Sequence, residues 1–571
     1  MRVTFLSILI ILLCCSVFAQ KPHGNVNKEA AIQSVQKQFK DLTVLSDKIW
    51  SYEETAFNEV KSSKDLVAYA TSKGFTVVEG VGGIPTAFTA EYGSGSPVIG
   101  ILGEFDALPG LSQKTVPHKA PLNEGGAGHG CGHNLFGVAS LGAATAIKEL
   151  IEAGKIKGTI RFYGTPAEEK FFGKLWMVRS GAFADVDVVM DWHPSGETKT
   201  AVQKGLALVD FMVEYYGQAA HASGDPWNGR DASDGLELFT TGINYYREHV
   251  KPTVRIHYDI QNAGEVVNVV PDYARIWTRV RDTRRDGMVE VWKQVEKIAE
   301  GAAMMANVEY KITLISGVHE ILVNRTGSAR LQTNLEFLGP IMYTEKEQEF
   351  ARRIQMATNK PEIGIESKIE PMEETLEHSR GGSTDVGDVS FVVPVVRLRA
   401  TTAPKGTPWH SWAVVACGGM SIGHKGMEYA AKAMSMTMID FFEDAQLRAD
   451  KIVKGHVGNR MIVVNDPSTI KAVENQDPLT KNVYNTALQG GDNVGTLDIG
   501  AQPEEIMFPE RFKQAYDRLK KLYPNRSHEQ LKDNARGILS NSTQNANVYS
   551  ETITGGLVDN VYKPKKTRKT K

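Results

Sequence analysis

The sequence predicts an α/β fold: a mixed sheet carrying helices on both faces, with a smaller ferredoxin-like α+β unit inserted into it. Three observations lead there. Short apolar runs such as VIGIL at 98–102 end in polar loops, as buried parallel strands do. Strand, helix, strand, strand, helix and strand signals follow one another over residues 205–316, the split βαβ pattern. Sheet and helix signals of the first kind then resume at 392–398 and 426–442, which makes the middle unit an insert.

Taken in order, residues 28–72 read as helices, because Ala30, Ile32, Val35 and Phe39, then Leu42, Leu45 and Ile49, recur at helical spacing. A strand follows at 75–79, and a glycine turn leads into a second within 80–90. The run at 98–102 feeds Glu104 and Asp106 into a loop at a strand's carboxyl end, where open α/β sheets build their sites. Solvated loop carboxylates are the competing reading. A helix at 135–153 packs on the sheet, and the strand at 159–164 runs into Thr165-Pro166-Ala167-Glu168-Glu169. That stretch has the make-up of a capping box at a helix start, which accounts for Glu168 and leaves Glu169 free. A strand at 186–191 closes on Trp192-His193-Pro194. The insert reads as strands at 206–216, 254–260, 273–281 and 308–315 with helices at 234–246 and 288–305, and His221 lies in a small-residue turn. Residues 381–388 form a polar glycine turn, and His410 follows in Thr-Pro-Trp-His-Ser-Trp. The expected division is 20–204 and 326–446 for the two parts of the main domain and 205–325 for the insert. Beyond 446 the signal thins to helices at 508–523 and 527–539 and a solvated basic tail, so 447–571 receives no function.

The bulk numbers agree with this organisation. A chain of 571 residues holds two or three domains, and 42% hydrophobic with 23% charged residues is the balance of a globular protein. A net charge of −2 argues against nucleic acid or an anionic membrane as the main partner. Arg2, the apolar run 5–18 and Val17-Phe18-Ala19 read as an export signal over 1–19, cleaved after about Ala19, with a periplasmic or secreted product and no membrane span left. A lipoprotein site at Cys14 or Cys15 and an uncleaved anchor are the alternatives. Cleavage leaves Cys131 and Cys417, too few and too far apart for a disulfide scaffold. Cys417 sits in an apolar stretch, whereas Cys131 sits among glycines and histidines.

Gly128-His129-Gly130-Cys131-Gly132-His133 offers thiolate and imidazole, ligands that zinc and transition metals prefer. If the segment is extended, Cys131 and His133 point to one side. A flexible glycine loop would hold the same residues without a metal. Partners at other strand ends decide the matter: Cys131, His133, Glu169, His193 and His410 are five donors of sulfur, nitrogen and oxygen type, enough for two divalent ions sharing a ligand. Glu168, left unligated, suits the general base that takes a proton from water and returns it to a leaving amine. His129 becomes a supporting loop residue.

Seven motifs in order now resemble the aminoacylase and dipeptidase family of metallopeptidases, peptidase family M20, in its amidohydrolase branch. They are GEFDALPGLSQ at 103–113, GHGCGHNLFG at 128–137, GTPAEE at 164–169, WHP at 192–194, GQAAHAS at 217–223, GGSTDVGDVS at 381–390 and GTPWHSW at 406–412. The resemblance covers residues 30–446 and is strongest to the type acting on aminobenzoyl-glutamate. It implies a zinc-peptidase-like catalytic domain and a lid that also serves for dimerisation. By position it makes Cys131, His133, Glu169, His193 and His410 ligands of two zinc or manganese ions, Glu168 the base and Asp106 an orienting carboxylate. His221 would steady the oxyanion, often across a homodimer interface, and Asn268 and Arg281 would hold a substrate carboxylate. The implied reaction is hydrolysis of an N-acyl or N-aroyl amino acid. An exported dipeptidase and a catalytically inactive binding protein are the alternatives. Glu104 departs from the pattern, standing where related peptidases carry histidine.

Overall fold

The structure is a computed structural model that describes residues 25–373 and 381–449, Lys520, and the backbone of two short strands, Val453–Val457 and Arg460–Val464. The expected export signal, the basic tail and, apart from a helical Lys520, the helices expected at 508–523 and 527–539 lie outside the described residues.

The larger sheet has seven strands: β1 (Thr76–Glu79), β2 (Phe88–Gly93), β3 (Val98–Gly103), β4 (Thr159–Gly164), β5 (Val188–Ser195), β6 (Lys199–Thr200) and, much later in the chain, β11 (Val395–Thr401). Their order is β1-β2-β4-β3-β5-β11-β6. The central four, β4, β3, β5 and β11, run parallel, and the outer pairings β1–β2, β2–β4 and β11–β6 are antiparallel. All four carboxyl ends therefore open on one edge of the sheet.

Helices cover both faces. On one, α1 (Val26–Tyr52), α3 (His133–Glu152) and α11 (Ser421–Glu443) pack on one another and on the strands through Leu42, Ile49, Leu141, Ile147, Met434 and Met438. On the other, α4 (Lys174–Arg179) and α9 (Val386–Ser390) bury Met177, Val178, Val386 and Val389 against Val189 and Val395. The helix α3 is buried almost all round, which is why its sequence is apolar or small throughout. Gly137 lets it close on the end of β3. Its N–H donates to Glu104 O at 2.9 Å, and a Cβ there would lie 2.8 Å from that same oxygen.

The second sheet comprises β7 (Ala207–Tyr216), β8 (Arg255–Asn262), β9 (Tyr273–Asp282) and β10 (Glu309–Val318), antiparallel in the order β10-β7-β9-β8. Its helices α5 (Ala232–Tyr246) and α6 (Arg285–Ala306) share one core with it, built on Phe211, Phe239, Ile276, Val280 and Trp292. Every residue of β9 alternates between buried and half-buried, the pattern its sequence shows. Among the described residues no helix is long and apolar enough to cross a membrane.

Several local expectations are corrected. No helix begins at Thr165: residues 165–169 form a turn, Ala167 takes the left-handed φ of 62°, and the next helix starts at Lys174. Tertiary bonds hold that turn and override the local capping signal. Cys131 lies in a turn rather than an extended run, and His133 is already the first residue of α3. Residues 381–388 run into α9 rather than forming only a turn, and Glu104 and Asp106 are both buried rather than solvated. Helices α7 (Arg325–Leu338), α8 (Glu345–Ala357) and α10 (Trp412–Gly418) went unread in the sequence.

Candidate metal centre

The carboxyl ends of the four parallel strands deliver one cluster. Glu104 and Asp106 follow β3, Glu168 and Glu169 follow β4, His193 ends β5, and the chain leaving β11 brings His410. Cys131 and His133 enter at the start of α3, where Gly132 takes φ 80° and a Cβ would lie 2.9 Å from Pro194. Three donor sets each have all their ligand atoms within 4.8 Å of one another: Cys131, His133 and His193; Cys131, Glu169 and His410; Glu104, His133 and Glu168. All five expected donors are brought together, with the expected base beside them. Two non-glycine residues hold left-handed backbone here, Ala167 and His410 (φ 55°), strain of the kind found where surroundings force side chains into place.

Both inner histidines have one nitrogen committed and the other turned to the cluster. His133 Nδ1 lies 2.9 Å from Asp106 Oδ1, and His193 Nδ1 donates to Pro194 O at 2.7 Å. Second partners of this kind set tautomer and ring orientation for metal binding. Asp106 also accepts the Glu169 N–H through Oδ2 at 3.0 Å, so one carboxylate steadies two donors. His193 Nε2 stands 3.3 Å from Cys131 Sγ, and His410 Nε2 stands 3.4 Å from Glu169 Oε1.

Among the described residues, three buried donor atoms of the cluster make no hydrogen bond: His133 Nε2, Glu104 Oε2 and Glu169 Oε1. The first two face each other at 3.0 Å as a histidine–carboxylate pair outside good hydrogen-bond geometry. Buried polar atoms are almost always satisfied, so orphans converging on one space mark a place for a cation. The charge balance says the same. Among the described residues, Glu104, Asp106, Glu168, Glu169 and Asp385 gather around the His133 imidazole and one buried lysine, Lys174, whose Nζ bonds Glu104 Oε1 at 2.5 Å and Asp385 Oδ1 at 2.7 Å. Burial, then Glu104 and Glu169, push the Glu168 carboxyl well above its usual range, and burial pushes Glu169 up to about 7. Burial acts on Glu104 too, but Lys174 and His133 outweigh it and hold that carboxyl low. The donor set and the orphaned atoms fit divalent metal.

Lys174 and Glu59 belong to this centre and went unnamed in the sequence, while Asp385 was read only as part of the glycine turn at 381–388. Lys174 lies 70 residues from Glu104 and 211 from Asp385, and no local pattern announces such pairs. His129 is buried, with Nε2 3.1 Å from Ile49 O, a supporting place as expected. From the second sheet, Arg281 reaches Ser383 Oγ at 3.2 Å and lies close enough to Glu168 for the charges to interact. His221 and Asn268 sit on exposed loops of that sheet, and neither bonds to the cluster.

Fold and cluster together define a hydrolase of mixed α/β architecture equipped to hold divalent metal. Residues 100–445 match peptidase family M20/M25/M40, and the chain belongs to that family. It is 36% identical over 444 residues to one component of the p-aminobenzoyl-glutamate hydrolase of Escherichia coli, covering 73% of this chain and 92% of that protein. It is 30% identical over 382 residues to the Xaa-Arg dipeptidase of Mus musculus, covering 64% of this chain and 78% of that protein. The fold is shared with an aminohydrolase structure from methicillin-resistant Staphylococcus aureus, at a TM-score of 0.54 and 17% identity over 73% of this chain and all (100%) of the other. The chain is thus a metal-dependent hydrolase of amide or peptide bonds.

Proposed function

We propose that the protein cleaves the amide bond of an N-acyl or N-aroyl amino acid resembling aminobenzoyl-glutamate. Cys131, His133, Glu169, His193 and His410 would hold two divalent ions, zinc or manganese. Such ions supply Lewis acidity and make water nucleophilic near neutral pH. The observation carrying the reading is the place of Glu168. It is buried within 4.8 Å of His133 and Glu104, and among the described residues it has no hydrogen-bond partner. Its raised pKa suits both halves of the task, taking the proton of the attacking water and handing it to the departing nitrogen. Asp106 keeps His133 and Glu169 in register. Arg281, with Asn268, would hold the substrate's carboxylate, and His221 would steady the oxyanion from the other subunit of a homodimer.

Similarity to the Xaa-Arg dipeptidase supports a second reading, a dipeptidase using the same centre. Export, read from residues 1–19, is part of the proposal, and fractionation of the source cells checks it. The mechanism is tested by Glu168→Gln. Bound metal should persist by elemental analysis while hydrolysis of N-acyl glutamates falls by about 10³-fold. Retained turnover would remove Glu168 from its role.

A further inference from the structure

Arg399 lies on β11, where the parallel register sets it beside His193 on β5. The same register sets Arg397 beside Asp191, and that guanidinium bonds the carboxylate, Nε to Oδ2 at 2.7 Å. Arg399 finds no such anion. The imidazole opposite it is spent, with Nδ1 on Pro194 O and Nε2 against Cys131. Two carboxylates are near enough to interact electrostatically, Glu197 and Glu373. Both are already engaged: Glu197 by Lys405 at 2.9 Å and Lys199 at 3.2 Å, Glu373 by Lys199 at 3.5 Å. Among the described residues the Arg399 side chain forms no hydrogen bond or ion pair, though the residue is half-buried.

A half-buried guanidinium without an anion is costly, and here it stands beside the metal cluster. A second incompletely satisfied guanidinium comes from the other sheet. Arg281 has one long bond, to Ser383, and a buried Nε without a partner. The two come from different sheets, one beside His193 and the other close to Glu168. An amide substrate at the cluster would have two cations within its surroundings.

We infer that Arg399 forms a second carboxylate subsite, so that the substrates are N-acyl derivatives of acidic, dicarboxylic amino acids. This rests on the amidohydrolase reading: Arg281 takes the α-carboxylate of the amino acid and Arg399 its side-chain carboxylate. A basic side chain would be repelled from the same place.

The test compares binding of N-benzoyl-glutamate and N-benzoyl-glutamine by calorimetry, in metal-loaded Glu168→Gln protein with and without Arg399→Gln. The parent should prefer the glutamate compound by about 30-fold, and Arg399→Gln should erase that preference by weakening glutamate alone. Arg399→Lys should restore part of it, with metal content constant throughout. Equal affinity in the parent, or a preference surviving Arg399→Gln, overturns the subsite. So does loss of metal in Arg399→Gln, which would make the residue a support for Cys131. Turnover of both compounds by the unmutated protein is measured separately. Preference without turnover would sink the amidohydrolase reading alone, and turnover without preference would sink the subsite alone.

Discussion

Ala167 is held in left-handed backbone just ahead of the two glutamates of the centre, and a buried carboxyl 108 residues away holds it there. Glu59 Oε1 accepts the Ala167 N–H at 2.9 Å, and Oε2 accepts the Thr86 hydroxyl at 3.2 Å. A left-handed alanine is strained by about 1 kcal/mol or more, so the turn depends on that bond. Removing the acceptor strands a buried N–H, which costs about 1–3 kcal/mol. Glu59→Ala should therefore lower stability by that amount in urea unfolding and reduce turnover by about 10²-fold, because Glu168 and Glu169 lose their aim. Glu59→Gln keeps a carbonyl acceptor and should retain most of both. Equal effects of the two substitutions would mean that volume, not the bond, matters. Nothing near Glu59 in the sequence marks it, because its task exists only once the sheet brings residue 167 to it. Cys131, His133, Glu169, His193 and His410 were legible for the opposite reason. The first four stand close to the end of a readable strand or the start of a readable helix, whereas His410 precedes α10, a helix the sequence does not announce.

Elements were legible where burial imposes a period. The insert's β9 alternates along its whole length, and the sequence displays it. Helix α8 was missed because its sequence, EKEQEFARRIQMA, carries few apolar residues. Its start is secured by a capping box, with Thr344 N–H donating to Glu347 Oε2 at 2.6 Å, and Lys425 Nζ donates to the same oxygen at 2.6 Å. The residues over 165–169 spell a similar box and form no helix, since Glu59, Asp106 and Gly103 O claim that backbone. Composition alone does not separate the two cases. Burial raises the Glu347 carboxyl, but Lys425 and the Thr344 bonds outweigh it and bring it to about 2. A carboxyl whose pKa is depressed in the fold lends stability above the ordinary carboxyl range and loses it as pH falls through the folded value. The stability gap between the unmutated protein and Glu347→Gln should thus be widest near neutral pH and close as pH drops from about 4.5 towards 2. A gap constant across that window would show that the charge contributes nothing.

At the scale of the whole molecule, the proposed reading gives a role to His221, which stands apart from the cluster within its own chain. Its Nδ1 accepts the N–H groups of Ser223 at 3.2 Å and Gly224 at 3.1 Å, which leaves Nε2 for another partner. The second sheet and its loops expose several apolar side chains, one of them, Val269, bridged to His221. Val267 is 99% exposed and Trp227 72%, with Val266 and Val269 close by in the chain and Ile260 on the edge strand β8. Exposed apolar groups beside an open strand edge mark a surface for another protein, and a second copy is the occupant in the proposed homodimer. Val267→Glu should then shift the protein towards monomer in sedimentation and lower turnover without changing metal content. The decisive experiment mixes two inactive variants. If His221 serves the centre of the opposite subunit, a heterodimer of Glu168→Gln and His221→Ala contains one site with both groups intact. Subunit exchange between the two should restore about a quarter of the unmutated activity, since half of the dimers are mixed and one site in each of those works. If His221 serves its own chain, every site in the mixture lacks one group or the other, and the mixture stays as inactive as its parents.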